Sequence, residues 1–265
     1  HQHTVGYGII WGKAHNTGFN NESTTSGDIE SKLQHNTINH HYGYQHQMKY
    51  NYKFLVNSGS TLKAGVHVAL GNIHPKSQFI EKDLTVEDFL YSDRYNMHEN
   101  TYGGFVEYIY KHKNTSVSTG LRLEYTDYSA RSQVDNKKYD YNRMDYFPFF
   151  SINQKVGSMA DISLRLASGI DRPHFLDYVP NYRYTSKYAY SVGNPDLKPS
   201  KFYSATLGSM FLDLLYLEFT YLHTKDIISP ISKNEENSFQ EVTTILNSSD
   251  ENRFIFQMNC PYIFL

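Results

Sequence analysis

The chain has 265 residues, 25 basic against 27 acidic side chains, 39% hydrophobic residues, 24 tyrosines and one cysteine. A formal charge of −2 gives no basic field for nucleic acid, the single Cys260 excludes an internal disulfide framework, and no run of about eighteen apolar residues exists to form a transmembrane helix. No shift in composition marks an internal boundary, so residues 1–265 are read as one domain.

Taken in order, the chain repeats a period of two, which predicts β-strands. Val5, Tyr7, Ile9 and Trp11 alternate with Gly6, Gly8, Ile10 and Gly12, and a second strand is expected from Tyr42 to Tyr52. Leu62, Ala64, Val66, Val68 and Leu70 oppose Lys63, Gly65, His67 and Ala69, followed by an expected strand from Tyr102 to Tyr110. Val117, Thr119, Leu121, Leu123 and Tyr125 oppose Ser118, Gly120, Arg122 and Glu124, and a strand is expected from Tyr146 to Ile152. Ile162, Leu164, Leu166 and Ile170 oppose Ser163, Arg165, Ala167 and Gly169. Strands are then expected from Tyr203 to Phe211, from Leu215 to His223 and from Phe254 to Phe264. These are roughly ten strands of about ten residues, the length at which a tilted strand crosses the apolar core of a bilayer.

The connections fall into two kinds. Short turns are expected at Asn57 to Ser60, His112 to Thr115, Val156 to Ala160 and around Asp213. Long polar loops are expected from Asn72 to Asn100, Ser129 to Arg143, Asp171 to Pro199 and Asp226 to Asn237, so that short and long connections alternate. Thr85, with Asp88 three residues on and Val86, Phe89 and Leu90 at helical spacing, predicts a short helix in the first long loop.

Outer-membrane barrels have short periplasmic turns and long outer loops, and their strands alternate between lipid and lumen. The polar face here carries Lys63, His67, Arg122, Glu124, Arg165 and Glu218, while the opposite face is nearly free of charge. Alternation alone does not separate this from a soluble β-sandwich, whose apolar face would be its core. Strand length, loop segregation and tyrosines near strand ends favour the barrel; the tyrosine pairs are Tyr50 with Tyr52, Tyr108 with Tyr110 and Tyr125 with Tyr128, besides Tyr221. The fold class is therefore an all-β antiparallel transmembrane barrel.

Little in the chain suggests other chemistry. Seven of 13 histidines fall within the first 46 residues, but adjacent His40 and His41 point to opposite faces of a strand and no carboxylate or cysteine completes a ligand set. No metal site and no cofactor is expected. Glu87 with Asp88, and Asp135 with Asp140, stand in polar loops without a neighbouring base or nucleophile, and no catalytic motif is present, so the chain is not read as an enzyme.

The stretch from Leu164 to Pro199 carries a family resemblance. Leu164-Arg165-Leu166-Ala167-Ser168-Gly169-Ile170-Asp171-Arg172-Pro173, then Tyr178-Val179-Pro180, then Gly193-Asn194-Pro195-Asp196-Leu197-Lys198-Pro199 resembles the hallmark segment of TonB-dependent outer-membrane receptors. Within them it is most similar to the Bacteroidetes-type outer-membrane β-barrel proteins. The strand pair at Tyr102 to Tyr108 and Gly120 to Thr126, with Tyr146-Phe147-Pro148 after it, stands where the family has a similar pair.

The resemblance implies a fragment of a 22-strand barrel in the outer membrane of a Gram-negative bacterium. It implies contact with outer-membrane lipid and capture of an extracellular small or oligomeric ligand. It further implies coupling to a TonB-type energy-coupling protein through a plug that this chain does not show. Arg172, Pro173, Gly193, Asn194, Pro195, Leu197 and Pro199 are its structural motif residues. Pro195 and Pro199 lack backbone donors and disfavour helix before them, which keeps the descending segment extended.

Tyr178, Tyr182, Tyr184, Tyr188 and Tyr190 crowd this segment beside Arg172, Arg183 and Lys187. Tyrosine and arginine offer large amphipathic contact area, which makes Arg172, Arg183 and these tyrosines the candidate ligand contacts; loop packing is the competing role. The function expected is binding and uptake of a bulky nutrient, whether siderophore, oligosaccharide or peptide. The alternatives are a non-transporting outer-membrane anchor or assembly barrel, and a secreted soluble all-β domain that binds carbohydrate.

Overall fold

The computed structural model describes residues 1–26, 29–83, 89–180, 182–186, 188–235 and 240–260. Among them, ten strands form one antiparallel sheet: β1 (Gln2–Ser26), β2 (Ile29–Asn57), β3 (Ser60–Asp83), β4 (Phe89–His112), β5 (Thr115–Ser132), β6 (Lys138–Val156), β7 (Ala160–Asp171), β10 (Ser200–Phe211), β11 (Leu215–Lys225) and β14 (Glu251–Asn259). Each strand pairs with the next in this order, and β1 and β14 are the sheet's two edges. The four expected turns lie where the spacing placed them, and three of them use the left-handed region, at Lys113, at Gly157 and at Leu212 with Asp213.

Strand length departs from expectation on one side. β7, β10 and β11 have 12, 12 and 11 residues, but β1 to β4 run for 24 to 29. Most of the expected loop from Asn72 to Asn100 is ladder, with Ile73 opposite Met97 and Phe79 opposite Tyr91. The expected loop from Ser129 to Arg143 likewise shrinks to the link between β5 and β6, since Ala130 pairs with Tyr139. Polarity misled the reading there. An antiparallel ladder satisfies its own backbone groups and continues into water with polar side chains. Thr85 to Asp88, the start of the expected helix, and Glu87 with Asp88 lie outside the described residues, while Phe89 and Leu90 open β4. Of the last expected strand, Phe254 to Asn259 belongs to β14, and residues 261–265 lie outside the described ones.

Two of the remaining long loops carry structure of their own. The segment from Asp171 to Pro199 holds a single helical turn, α1 (Phe175–Tyr178), and the short strands β8 (Arg183–Ser186) and β9 (Ala189–Val192). The segment after β11 forms a hairpin of β12 (Ile228–Asn234) and β13 (Glu241–Asn247), where a plain polar loop was expected. β13 pairs in parallel with β9, so the two loops join into a second sheet ordered β12-β13-β9-β8 on the long-loop side.

Burial on the large sheet is the reverse of a soluble sandwich. Register carries Tyr7, Met48, Val68, Tyr102, Tyr125 and Met144 along one row, and Val106 and Leu121 along another, all on one face. That face is bare: Tyr7, Met48, Val66, Val106, Leu121, Leu207, Phe219 and Phe256 are all exposed. The polar face is the covered one, where Glu124, Thr126 and Asp145 are 4%, 3% and 2% exposed. A core of Tyr95, Met97, Tyr128 and Ala130 from the sheet joins Tyr178, Val179 and Leu197 from the loop segment on this same side. Alternation left two folds open, and a bare apolar face with a covered charged face fits only a wall whose apolar side meets lipid. Tyr125 stands on the lipid face as expected of a girdle residue, but Tyr128, grouped with it by proximity in sequence, is an odd number of residues away and is buried in the core instead.

Candidate functional site

The hallmark segment is bound to the covered face at both ends. Arg172 Nη2 donates to Glu124 Oε2 at 2.7 Å and to Thr126 Oγ1 at 3.4 Å. Glu124 also meets Arg122 Nη1 at 3.2 Å and His67 Nε2 at 3.8 Å. His67 reaches it across β4 because Gly103 intervenes; a Cβ there would lie 2.0 Å from the imidazole. Beside this cluster, the buried Asp145 carboxylate accepts from Arg143 Nε and meets Lys201 Nζ, each at 2.9 Å. Buried carboxylates are tolerable only when paired in this way.

The other end is equally fixed. Pro173 and Pro199 are buried, and Leu197 is part of the core. The Asn194 N–H donates to Asp177 O at 2.6 Å and its Nδ2 to Ile245 O at 3.2 Å, while Asn247 exchanges hydrogen bonds with both the N–H and the carbonyl of Lys198. Asn194 Oδ1 accepts from the Asp196 N–H at 3.0 Å, which makes the Asn-Pro-Asp turn. Gly193 passes so close to the preceding turn that a Cβ would stand 2.1 Å from Val179 O and 2.8 Å from both Leu176 O and Asp177 O.

The seven candidate contact residues separate into two groups. Arg172 and Tyr178 face inward: Arg172 is engaged with Glu124, and Tyr178, 1% exposed, packs at 5.1 Å on Tyr128 and 5.4 Å on Tyr141. Burial pushes the Tyr178 phenol well above its ordinary pKa, so it stays neutral. Tyr182, Tyr184 and Tyr190 gather at the mouth, with ring centroids 5.0 to 6.3 Å apart, and rest on Tyr91 and Phe79. Tyr188 projects from the β8–β9 turn with half its surface exposed. Arg183 lies in β8 near His41, and Lys187 is outside the described residues.

Between the hallmark segment and the inner faces of β1 to β5 lies a cavity of about 640 Å³. Ile10, Ile73, Met97 and Pro173 supply apolar walls, and Gly12, Gly43 and Gly71 leave the room. Its charged groups are Lys13, Glu99 and Arg172, and its other polar groups are His41, Tyr42, Tyr44, Gln45, His98, Tyr128 and His174. On the β4–β6 side the outer face has turned polar at this level, the row next to Glu99 placing Asn100, Asp127 and Asn142 there, while across β3 and β1 the same row carries Leu70 and Ile9. The Tyr128 hydroxyl and His41 Nδ1 are buried with no partner among the described residues. Burial raises the Glu99 carboxyl above the ordinary carboxylate range while Arg172 pulls it down, and burial, Arg183 and His174 lower His41. Sequence reading missed Glu99, Tyr128 and His41, whose only signal was their parity with the charged face of their strands.

Among the described residues, no group of three or more His, Cys, Asp and Glu is arranged for a metal ion. The nearest approach is His15 with His40, whose Nδ1 atoms are 2.9 Å apart across β1 and β2. Asp135 and Asp140 each pair with a lysine, Lys137 and Lys138, at exposed positions.

A model of the outer membrane protein beta-barrel family matches residues 11–265. The chain belongs to that family. Its place is the outer membrane, where the bare face meets lipid and the short and long connections mark the two sides. Solved structures with the same fold include the copper transporter OprC, with a TM-score of 0.57 and 14% identity over 96% of this chain and 44% of that one. The unliganded ferric citrate transporter FecA gives 0.56 and 10% over 97% and 36%. The hemophore receptor HasR of Serratia marcescens, solved with its hemophore HasA and heme, gives 0.51 and 7% over 96% and 58%. At such identities the likeness concerns the fold. The chain spans about a third to three fifths of these proteins' length. None of the curated proteins matches it in sequence.

Proposed function

We propose that this chain is the loop-bearing wall of an outer-membrane receptor that captures a bulky nutrient outside the cell and passes it inward, a Bacteroidetes-type member of the TonB-dependent class. The observation that carries this reading is the hallmark segment, which folds inward over the charged face and roofs a cavity beside a mouth lined by Tyr182, Tyr184, Tyr188 and Tyr190. A membrane anchor needs no such mouth. The copper transporter, the ferric citrate transporter and the hemophore receptor that share the fold agree with it. Release inward would require a plug and an energy-coupling partner contributed by other parts of the protein and by the periplasm.

The test is made in the native cell with the complete protein. Replacing Tyr182, Tyr184, Tyr188 and Tyr190 together by serine should leave the barrel at the surface and abolish growth on the nutrient it serves. Normal growth on every nutrient that the gene's deletion denies the cell, with the variant present at wild-type surface level, overturns the role of the mouth; a deletion without any uptake defect favours an anchor or assembly barrel.

A further inference from the structure

Above its apolar band the outer face of the wall becomes basic. Eight residues up their own strands from Tyr7, Met48, Val68 and Tyr102, the register gives one row of His15, His40, Lys76 and Arg94. Eight is an even step, so these side chains keep the lipid-facing side. The row beneath holds Lys13, Tyr42, His74, Asn96, Arg131 and Lys138, with His74 Nδ1 2.9 Å from Asn96 Oδ1. Neither row contains a carboxylate. The described acids of the same stretches of β3 and β4 turn inward instead: Glu81 is 3% exposed, Asp93 accepts from the buried Ser132, and Glu99 lines the covered cavity.

The cations of this belt are largely uncompensated. Lys138 pairs with Asp140 at 2.6 Å, but the side chains of Lys13, Lys76 and Arg94 make no ion pair and no hydrogen bond among the described residues. Lys76 stands directly opposite Arg94 in the ladder. Like charges so placed repel, and a shared anion turns the same juxtaposition into a favourable one.

The height of the belt names the anion. Successive rows are two residues apart, about 6.6 Å along the strand and about 5 Å in height at a tilt of about 40°. The five rows from Leu62 to Leu70 therefore fill most of an apolar band about 25 Å tall. Trp11 and Tyr44 mark the next row as an aromatic girdle. The two basic rows follow about 5 and 10 Å beyond it, at the level of the lipid headgroups, toward which lysine and arginine stems reach back. We infer that the belt on β1 to β4 binds the phosphate of an outer-leaflet lipid headgroup, Lys76 and Arg94 sharing it with Lys13 beside them, while the lipid's tails lie on the apolar rows below. A second copy of this face would bring cations against cations, and a dissolved anion would make no use of the apolar rows. The inference rests on the lipid-facing wall alone and is independent of the receptor reading.

The complete protein, purified in an uncharged detergent, is titrated with dioleoyl phosphatidic acid and with dioleoylglycerol, which has the same tails and no phosphate, and bound lipid is counted by native mass spectrometry. Phosphatidic acid should bind at least roughly tenfold more tightly, as expected for several cations near one anionic headgroup. The triple variant K13Q/K76Q/R94Q should reduce this preference to about twofold or less, whereas K113Q, on the short-turn side, should keep it. Equal binding of the two lipids to the wild-type protein overturns the inference even if the triple variant fails to fold. A folded triple variant that retains the preference overturns it as well, and either result leaves an acidic protein as the occupant of the belt. Displacement of phosphatidic acid by an equal concentration of inorganic phosphate would overturn the lipid as the source of the anion.

Discussion

Arg172 and Glu124 stand 48 positions apart in the chain and meet at 2.7 Å, joining the residue that follows β7 to the inner face of β5. The contact makes Arg172 a fastener of the loop. Arg172→Ala should cost about 2–3 kcal/mol, less than the roughly 3–5 of an isolated buried pair, because Arg122 and His67 remain beside Glu124. Urea unfolding of the folded barrel in detergent measures it. A double-mutant cycle with Glu124→Gln should return a coupling of about 1 kcal/mol or more, and an additive pair of changes would mean that the contact does not hold the loop.

Two glycines should respond differently to the same methyl group. At Gly193 the added Cβ meets three backbone carbonyl oxygens, which cannot move without unpacking α1, so Gly193→Ala should destabilise by about 2–3 kcal/mol or more. At Gly103 it meets the end of the His67 ring, which can swing away, so Gly103→Ala should cost little beyond the His67 contact with Glu124. Limited proteolysis between residues 172 and 198 should be enhanced only in the Gly193 variant.

The bare face should reject charge by depth. Leu121→Arg should destabilise the barrel by about 2–4 kcal/mol, the range for a lipid-facing cation near the midplane. Gln47→Arg, on the opposite face of the wall, should cost far less. Equal costs at the two positions would contradict the assignment of faces.

Stability should fall with rising pH on account of Glu99. Its native carboxyl is raised above the ordinary value of 4.5, so the folded protein binds more protons than the unfolded chain between the two values. The stability contributed by the neutral carboxyl is thus present at low pH and lost as pH rises through the native value. Glu99→Gln should remove this slope, and thermal melts across the acid range would show it.

Much of the wall was legible because parity is a local property. Leu121 and Arg122 point apart whatever the rest of the chain does, and the four tight turns were marked by their own residues. The upper halves of β3 and β4 were not legible, since residues 72–100 alternate without an apolar stripe and are held as strands by each other. The small sheet was hidden for the same reason: β9 owes its partner to β13, some fifty residues away. The hallmark motif pointed to an outer-membrane barrel, but the jobs of Gly193, Asn194 and Leu197 depend on Val179, Ile245 and Tyr95, which no spacing rule brings to them.

An all-β wall with two chemically distinct faces and its tight turns was written in the chain alone, because alternation and turn chemistry act over a few residues, and the motif after β7 pointed to an outer-membrane barrel. Folding in three dimensions settles that the charged face is the covered one, and that Arg172 and Tyr178 turn inward while Tyr182, Tyr184 and Tyr190 cluster above them. It alone gathers His41, Glu99 and Tyr128 around one cavity. Those three residues come from β2, β4 and β5: antiparallel register sets Tyr128 opposite Glu99 and carries their row through Gly71 to Gln45, four positions from His41 on the same strand face.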